Sequence, residues 1–283
     1  MSQVSPLPQG HYVDCPNGQR MHYLDHGEGP VVVFLHGSGP GASGHSNFKG
    51  NYPWLAQQGY RCIVPDLVGF GYSDKPEDVD YPLGFFVECL QQTLAAAGVS
   101  RCTVVGNSLG GAVAIGLALD YPHLVDGLIL MAPGGMSPRE DYLQMPAMQK
   151  MFEIYLSEDG VNAASMRELF EFGLVHAPVH VTDELLAERL HVLELMNTQV
   201  MLSMDIPNLA GRLPELRCPV LVFWGANDRM MPDNGMLALA QNCARMKMLV
   251  LSECGHWAMV EHEELFNREC LAFLKAREQS GWA

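Results

Sequence analysis

Six short runs of apolar and β-branched residues punctuate the chain: PVVVFLH (30–36), YRCIVPD (60–66), RCTVVGN (101–107), DGLILMA (126–132), PVLVFWG (219–225) and MKMLVLS (246–252). Each reads as a strand buried on both faces, the habit of a parallel sheet covered by helices. Between them, LGFFVECLQQTLAAA (83–97) and LGGAVAIGLALD (109–120) have helical length and composition, as does the C-terminal segment 260–276. This alternation predicts an α/β fold. One stretch breaks it. From Pro133 to about Cys218 there is no strand signal, only amphipathic helical segments such as MPAMQKMFEIYL and TDELLAERLHVLELM. Sheet-building resumes directly afterwards, so a helical insertion between two strands of one sheet is the simplest account. That divides the chain into a core of 1–133, a helical cap or lid of 134–212, and a second core part of 213–283. A separate middle domain is the alternative, and the first ten or so residues read as a loose tail.

Charge narrows the function classes. The 283 residues carry 32 acidic and 17 basic side chains, a formal net charge of −15. A phosphate-binding surface needs a basic field, so nucleic acid and anionic membrane are not expected partners. Any anionic substrate must instead be met by a locally placed Arg or Lys. No apolar run approaches the ~20 residues of a membrane helix, and MSQVSPLPQGHY has neither the basic segment nor the apolar core of a signal peptide. The eight cysteines are scattered, with no C-x-x-C pair. They read as reduced, mostly buried thiols of a cytoplasmic protein, not as a zinc site.

The strongest chemical signal is GNSLGG at 106–111, which follows a strand and opens a helix of small residues. G-x-S-x-G in that context is a nucleophile elbow that lifts the Ser108 hydroxyl above the sheet; the bland reading is a glycine-rich junction with a satisfied hydroxyl. A serine needs a base, and the base needs an orienting group. His256 follows the strand MKMLVLS in a glycine-containing loop, and Asp228 follows PVLVFWG before a proline-marked turn. The order Ser…Asp…His, each after a strand, matches the triad order expected for such a fold. His262 is a decoy expected on a helix face.

A second glycine cluster, FLHGSGPGASG (34–44), has two readings. It fits G-x-G-x-x-A after a strand, with Asp66 at roughly the ~20-residue offset of a ribose-binding acid. His-Gly directly before the cluster favours a loop that supplies an oxyanion-hole amide. In that reading the backbone N–H groups of Ser38 and Leu109 hold the oxyanion, His36 has a structural role in the loop, and Asp66 anchors the turn DLVGFGYSD.

Taken together, HGSGPGASGHSNF, DLVGFGYSD, GNSLGGAVA, LILMAPGGM, FWGANDRMMP and CGHWAMVEHEELFN resemble the α/β-hydrolase family. More narrowly they resemble its carbon–carbon bond hydrolases, which act on meta-cleavage products of aromatic degradation. The resemblance implies the α/β-hydrolase fold: a mostly parallel sheet with helices on both faces and an inserted cap. It implies Ser108, Asp228 and His256 as catalytic residues, no cofactor and no metal. It places Asn47, Asn107 and Trp257 in the substrate pocket, with Phe172 as a pocket aromatic. It gives Arg189, in TDELLAERL, to the carboxylate end of a 2-hydroxy-6-oxo-hexa-2,4-dienoate, and it leans towards a homo-oligomer. Read from the residues alone, Arg189 is a solvated helix residue paired with Glu184 or Glu188. Departures from the narrower pattern are Leu109 after the serine, Ser38 in place of a frequent glycine, and DLVGFGYSD. A carboxylesterase using the same triad, or a small-molecule receptor on this fold, stays open at this point; Ser108 at the elbow argues against a dehalogenase.

Overall fold

The computed structural model describes residues 9–280. Its main sheet contains β1 (His11–Asp14), β2 (Arg20–His26), β3 (Val31–Leu35), β4 (Arg61–Pro65), β5 (Cys102–Asn107), β6 (Val125–Met131), β7 (Val220–Gly225) and β8 (Met246–Leu251). They lie side by side in the order β1-β2-β4-β3-β5-β6-β7-β8. Strand β2 pairs antiparallel with both β1 and β4, and every later neighbour is parallel. All six apolar runs form strands. The two that the pattern missed, β1 and β2, are half-polar and partly exposed, so they lack the continuous apolar signature. Strand β8 corrects the expectation of burial on both faces. It pairs with β7 alone, at the edge of the sheet, and Val250 is 55% exposed.

The helix Leu109–Asp120 lies against the centre of the sheet, and its residues from Leu109 to Ala118 are all buried. Small side chains make that possible. A Cβ on Gly106 would stand 2.4 Å from the Gly110 carbonyl oxygen, and one on Gly110 would stand 2.2 Å from that of Leu35. These contacts draw the helix start onto β3 and β5, so either glycine is replaceable only by moving backbone. The C-terminal helical stretch is broken into Ala258–Glu261 and Glu263–Ser280. His262 sits in the turn between them, not on a helix face, and its Nε2 is buried without a partner.

Between β6 and β7 the chain forms the helices Arg139–Leu143, Pro146–Tyr155, Ala163–Gly173, Asp183–Leu193 and Gln199–Ser203. One strand pair does occur in this stretch, against expectation: Met204–Asp205 pairs in parallel with Tyr81–Pro82. Two residues are too few to leave a periodic trace, yet they fasten the end of the insertion to the core. All eight cysteines are free and buried, as the reading of unpaired thiols required. Among the described residues no helix is long and apolar enough to cross a membrane.

Candidate active site

Every side chain of interest follows the C-terminal end of a parallel strand or descends from the insertion, where open α/β sheets place their ligands. Ser108 stands between β5 and its helix with φ 55° and ψ −117°, a left-handed backbone that L-residues rarely adopt. Such strain persists only where the surroundings enforce it. Here the Ser108 N–H donates to the Met131 carbonyl, and the Ser108 carbonyl accepts from the N–H groups of Gly111, Ala112 and Gly134. The main chain is pinned, while the Oγ makes no hydrogen bond within the described residues.

The imidazole of His256 is buried and donates its Nδ1–H to Asp228 Oδ2 at 2.8 Å. The other carboxylate oxygen, Oδ1, accepts from the N–H groups of Met230 (2.7 Å) and Met231 (3.1 Å). The Asp228 side chain is therefore fixed, and the His256 tautomer with it, leaving Nε2 unprotonated as an acceptor. Ser108 and His256 line one small cavity together with Gly37, Ser38, Asn47, Asn107, Arg189 and Trp257. A hydrogen bond from Ser108 Oγ to His256 is not formed in this structure; such contacts commonly tighten only in complexes.

The glycine cluster meets the insertion at one point. Gly41 has φ +64°, and a Cβ there would stand 1.9 Å from the Arg189 carbonyl oxygen. Gly41 thus lets the loop approach the insertion closely, whereas Gly37 and Gly44 face Asn107 and Val64 of the core. Asp66 is buried and fully engaged. Its carboxylate accepts from the N–H groups of Gly44 (2.8 Å) and Tyr72 (2.9 Å) and from His22 Nδ1–H (2.9 Å). Burial alone would raise its pKa, but the hydrogen bond and charge of His22 outweigh that, and the net shift is downward. It anchors its own turn, as expected, and the glycine loop as well. The Ser38 N–H makes no backbone hydrogen bond, and Leu109 is the first residue of its helix, where N–H groups have no carbonyl partner in the helix.

His36 is structural, as the loop reading held. Its Nδ1–H donates to Gly37 O (2.8 Å) and its Nε2 accepts from Leu67 N–H (3.0 Å). Burial holds it neutral against the pull of nearby Asp66, lowering its pKa to about 4. The unfolded chain takes up a proton below an ordinary histidine pKa of ~6.5, which folded His36 refuses until about pH 4. Stability is therefore expected to fall as pH drops through that window, by roughly 3 kcal/mol in total. Urea unfolding at pH 7 and pH 5 checks this: the loss on acidification should shrink in His36→Asn, and an unchanged loss would clear His36 of the effect.

Arg189 is where the structure departs furthest from the plain reading of the sequence. It is 2% exposed, and Glu188 is bound instead to Lys49 Nζ at 2.8 Å. Among the described residues no carboxylate lies within ion-pair distance of Arg189. Its Nη2 donates to Asn47 Oδ1 at 2.7 Å, and Nε is buried without a partner. The guanidinium lies 5.1 Å from the Trp257 ring centroid and 5.6 Å from that of Phe170. Burial pulls its pKa down to about 10, against the nearby Glu188 charge. It remains a cation at neutral pH, in a dry place and without a counter-ion.

Asn47 continues the polar chain through Nδ2 to Asn107 Oδ1 (3.5 Å), and Asn107 Nδ2 donates to the carbonyls of Met131 (3.3 Å) and His256 (3.4 Å). Phe172 is a correction. It is 38% exposed and stacks outside on Arg229, whereas Phe170 is fully buried on the cavity wall, edge-on to Trp257. Two positions apart on the helix Ala163–Gly173, the two rings point to nearly opposite sides. Glu261 was missed altogether. Its carboxylate accepts from Gly255 N–H (2.6 Å) beside His256 and from His176 N–H (2.7 Å) in the insertion. No local pattern marks such a role.

A second, larger cavity meets Ser108 from the other side. Besides Ser38 and Leu109 it is walled by Met148, Met151, Met201, Met204, Met230 and Met231, with Phe152 and Ile206. Most of these residues belong to the insertion, whose side chains no sequence motif announced.

A serine on a strained elbow, an oriented imidazole and a helical insertion above a mixed sheet define a hydrolase architecture. The sequence matches the α/β hydrolase fold family over residues 30–263, and the chain belongs to that family. It is 35% identical, over 90% of its length and 91% of the relative's, to a 2-hydroxy-6-oxononadienedioate/2-hydroxy-6-oxononatrienedioate hydrolase of Burkholderia vietnamiensis. It is 34% identical, over 90% of its length and 91% of the relative's, to a 2-hydroxy-6-oxo-6-phenylhexa-2,4-dienoate hydrolase of Burkholderia cepacia. Among solved structures it resembles a meta-cleavage product hydrolase of Pseudomonas fluorescens IP01, with TM-score 0.82 and 27% identity over 94% of this chain and 97% of that one.

Proposed function

We propose that this protein hydrolyses a carbon–carbon bond in a 2-hydroxy-6-oxo-hexa-2,4-dienoate-type meta-cleavage product of aromatic degradation. The observation that carries the reading is Arg189: a buried cation without a counter-ion, on the wall of the cavity shared by Ser108 and His256. An unpaired buried charge is costly, and a substrate carboxylate supplies the missing partner. In an acidic protein this local cation is what an anionic substrate requires.

The dienol first ketonises, which makes the departing carbon fragment a stabilised leaving group. Ser108 Oγ then attacks the C6 carbonyl carbon while His256 Nε2 takes its proton. The backbone N–H groups of Ser38 and Leu109 hold the resulting oxyanion, an effect worth roughly 3–4 kcal/mol per donor. Collapse breaks the C5–C6 bond, whose electron pair passes through the conjugated chain to the C2 oxygen; that oxygen takes up the proton held by His256, and 2-hydroxypentadienoate departs. Water, deprotonated by His256, then releases the acyl group as a carboxylic acid. Asp228 holds the imidazole and stabilises its charged form. Residues 134–212 serve as the cap that closes the site. The eight buried free thiols support a cytoplasmic setting.

The test follows loss of the dienolate absorbance of a ring-fission product beside hydrolysis of a p-nitrophenyl ester. The dienoate is expected to have the higher kcat/KM by orders of magnitude; the reverse preference would make the protein a carboxylesterase. Arg189→Gln should lower kcat/KM about 100-fold for the acidic substrate, the scale of a broken buried charge pair, and less than about threefold for a neutral ester. Equal losses would remove the proposed role of Arg189.

A further inference from the structure

Two arginines stand on the walls around Ser108, one in each cavity. Arg189, in the small polar cavity, is buried; Arg139, in the larger one, is exposed. Arg139 and Leu143 are the exposed members of the larger cavity's wall, so they mark where it meets solvent, with Ser108 at the buried end. Among the described residues, Arg139 is also the only charged side chain lining that cavity. Although Glu140 and Asp141 follow it directly, its guanidinium makes no hydrogen bond or ion pair with any described residue. Asp141 is instead held by Asn234 Nδ2 at 3.0 Å. In a chain of net charge −15, a cation at the mouth of a thioether-lined cavity and left unpaired is available to a ligand.

Resting on the reading of the site as a dienoate hydrolase, we propose that Arg139 receives a second carboxylate, carried at the end of a short alkyl chain on C6. The substrate is then a dianionic 2-hydroxy-6-oxo-dienedioate. Its first carboxylate meets Arg189, its C6 carbonyl lies over Ser108, and its methylenes run along the methionine wall. Thioether side chains pack against methylene groups without offering a polar partner, and no cation other than Arg139 stands on that wall among the described residues to meet the terminal charge. The planar guanidinium suits a carboxylate by bidentate hydrogen bonding. An aryl ketone would leave this cation idle.

The proposal is tested with two synthetic dienoates of matched shape, one bearing 2-carboxyethyl on C6 and the other 3-methylbutyl. Exposed ion pairs are individually modest, so at low salt the wild type is expected to favour the carboxyethyl substrate by about fivefold in kcat/KM. Arg139→Gln should abolish that preference, chiefly through KM, while Arg139→Lys keeps part of it. The preference should also shrink with added salt. Equal losses on both substrates in Arg139→Gln, or a wild-type preference for 3-methylbutyl, would overturn the role of Arg139 and leave carbon–carbon hydrolysis standing. Failure to cleave either substrate would overturn both readings.

Discussion

Ser108→Ala is expected to lower the rate of product formation about a millionfold, the loss found when a serine hydrolase is stripped of its nucleophile. The fold should survive. Alanine keeps the Cβ at the strained elbow, and the lost Oγ makes no hydrogen bond among the described residues, so no partner is stranded. The elbow's geometry is held by main-chain hydrogen bonds to Met131, Gly111, Ala112 and Gly134, none of which the substitution touches. The thermal midpoint should therefore move by only a few degrees, and the variant should still bind the dienoate. The measurement is chromatographic detection of the carboxylic acid product, because disappearance of the yellow dienolate would also report ketonisation alone. Retention of a tenth of the activity would assign bond cleavage to water directly activated by His256 and remove Ser108 as the nucleophile.

Asp228→Asn should cost about 10⁴-fold in kcat, the price of the wrong imidazole tautomer. The structure dictates how the amide would sit. The N–H groups of Met230 and Met231 both point at Oδ1 and require an acceptor there. An asparagine would satisfy them with its carbonyl oxygen and turn its NH2 towards His256 Nδ1. That nitrogen would then have to accept, moving the ring proton to Nε2, where it can no longer take a proton from Ser108. Circular dichroism should show an intact fold. A loss smaller than tenfold would mean that the His256 tautomer is set by something other than Asp228.

These two substitutions also mark where the sequence was most legible. Ser108, Asp228 and His256 follow strands that announce themselves by continuous apolar runs, and the elbow needs glycines whose spacing is dictated by backbone contact. The same cause makes the glycine cluster at 37–44 ambiguous. A residue without a Cβ permits close approach to a pyrophosphate or to another chain segment, and the approach of Gly41 to Arg189 is written nowhere in the local sequence. Strands β1 and β2 escaped because an edge hairpin buries too little to be continuous. The resemblance points to Phe172, yet Phe170 lines the cavity, because two aromatics two positions apart cannot be ranked until the helix is oriented. The solvated reading of Arg189 failed for a similar reason: Glu188 adjoins it in sequence but binds Lys49, on a segment 139 residues away. The methionine wall was out of reach altogether, since it gathers side chains from distant segments of the chain.

The Glu261 carboxylate stitches the backbone beside His256 to residues 176 and 177 of the insertion, and the Trp257 N–H adds a further bond to the Leu174 carbonyl. That flank therefore behaves as a hinge post. Swinging it outward would carry His256 away from Ser108, with which it shares the small cavity. The flank around Arg139 and Leu143 is tied elsewhere, through Asp141 to Asn234, so a displacement there would leave the backbone beside His256 in place.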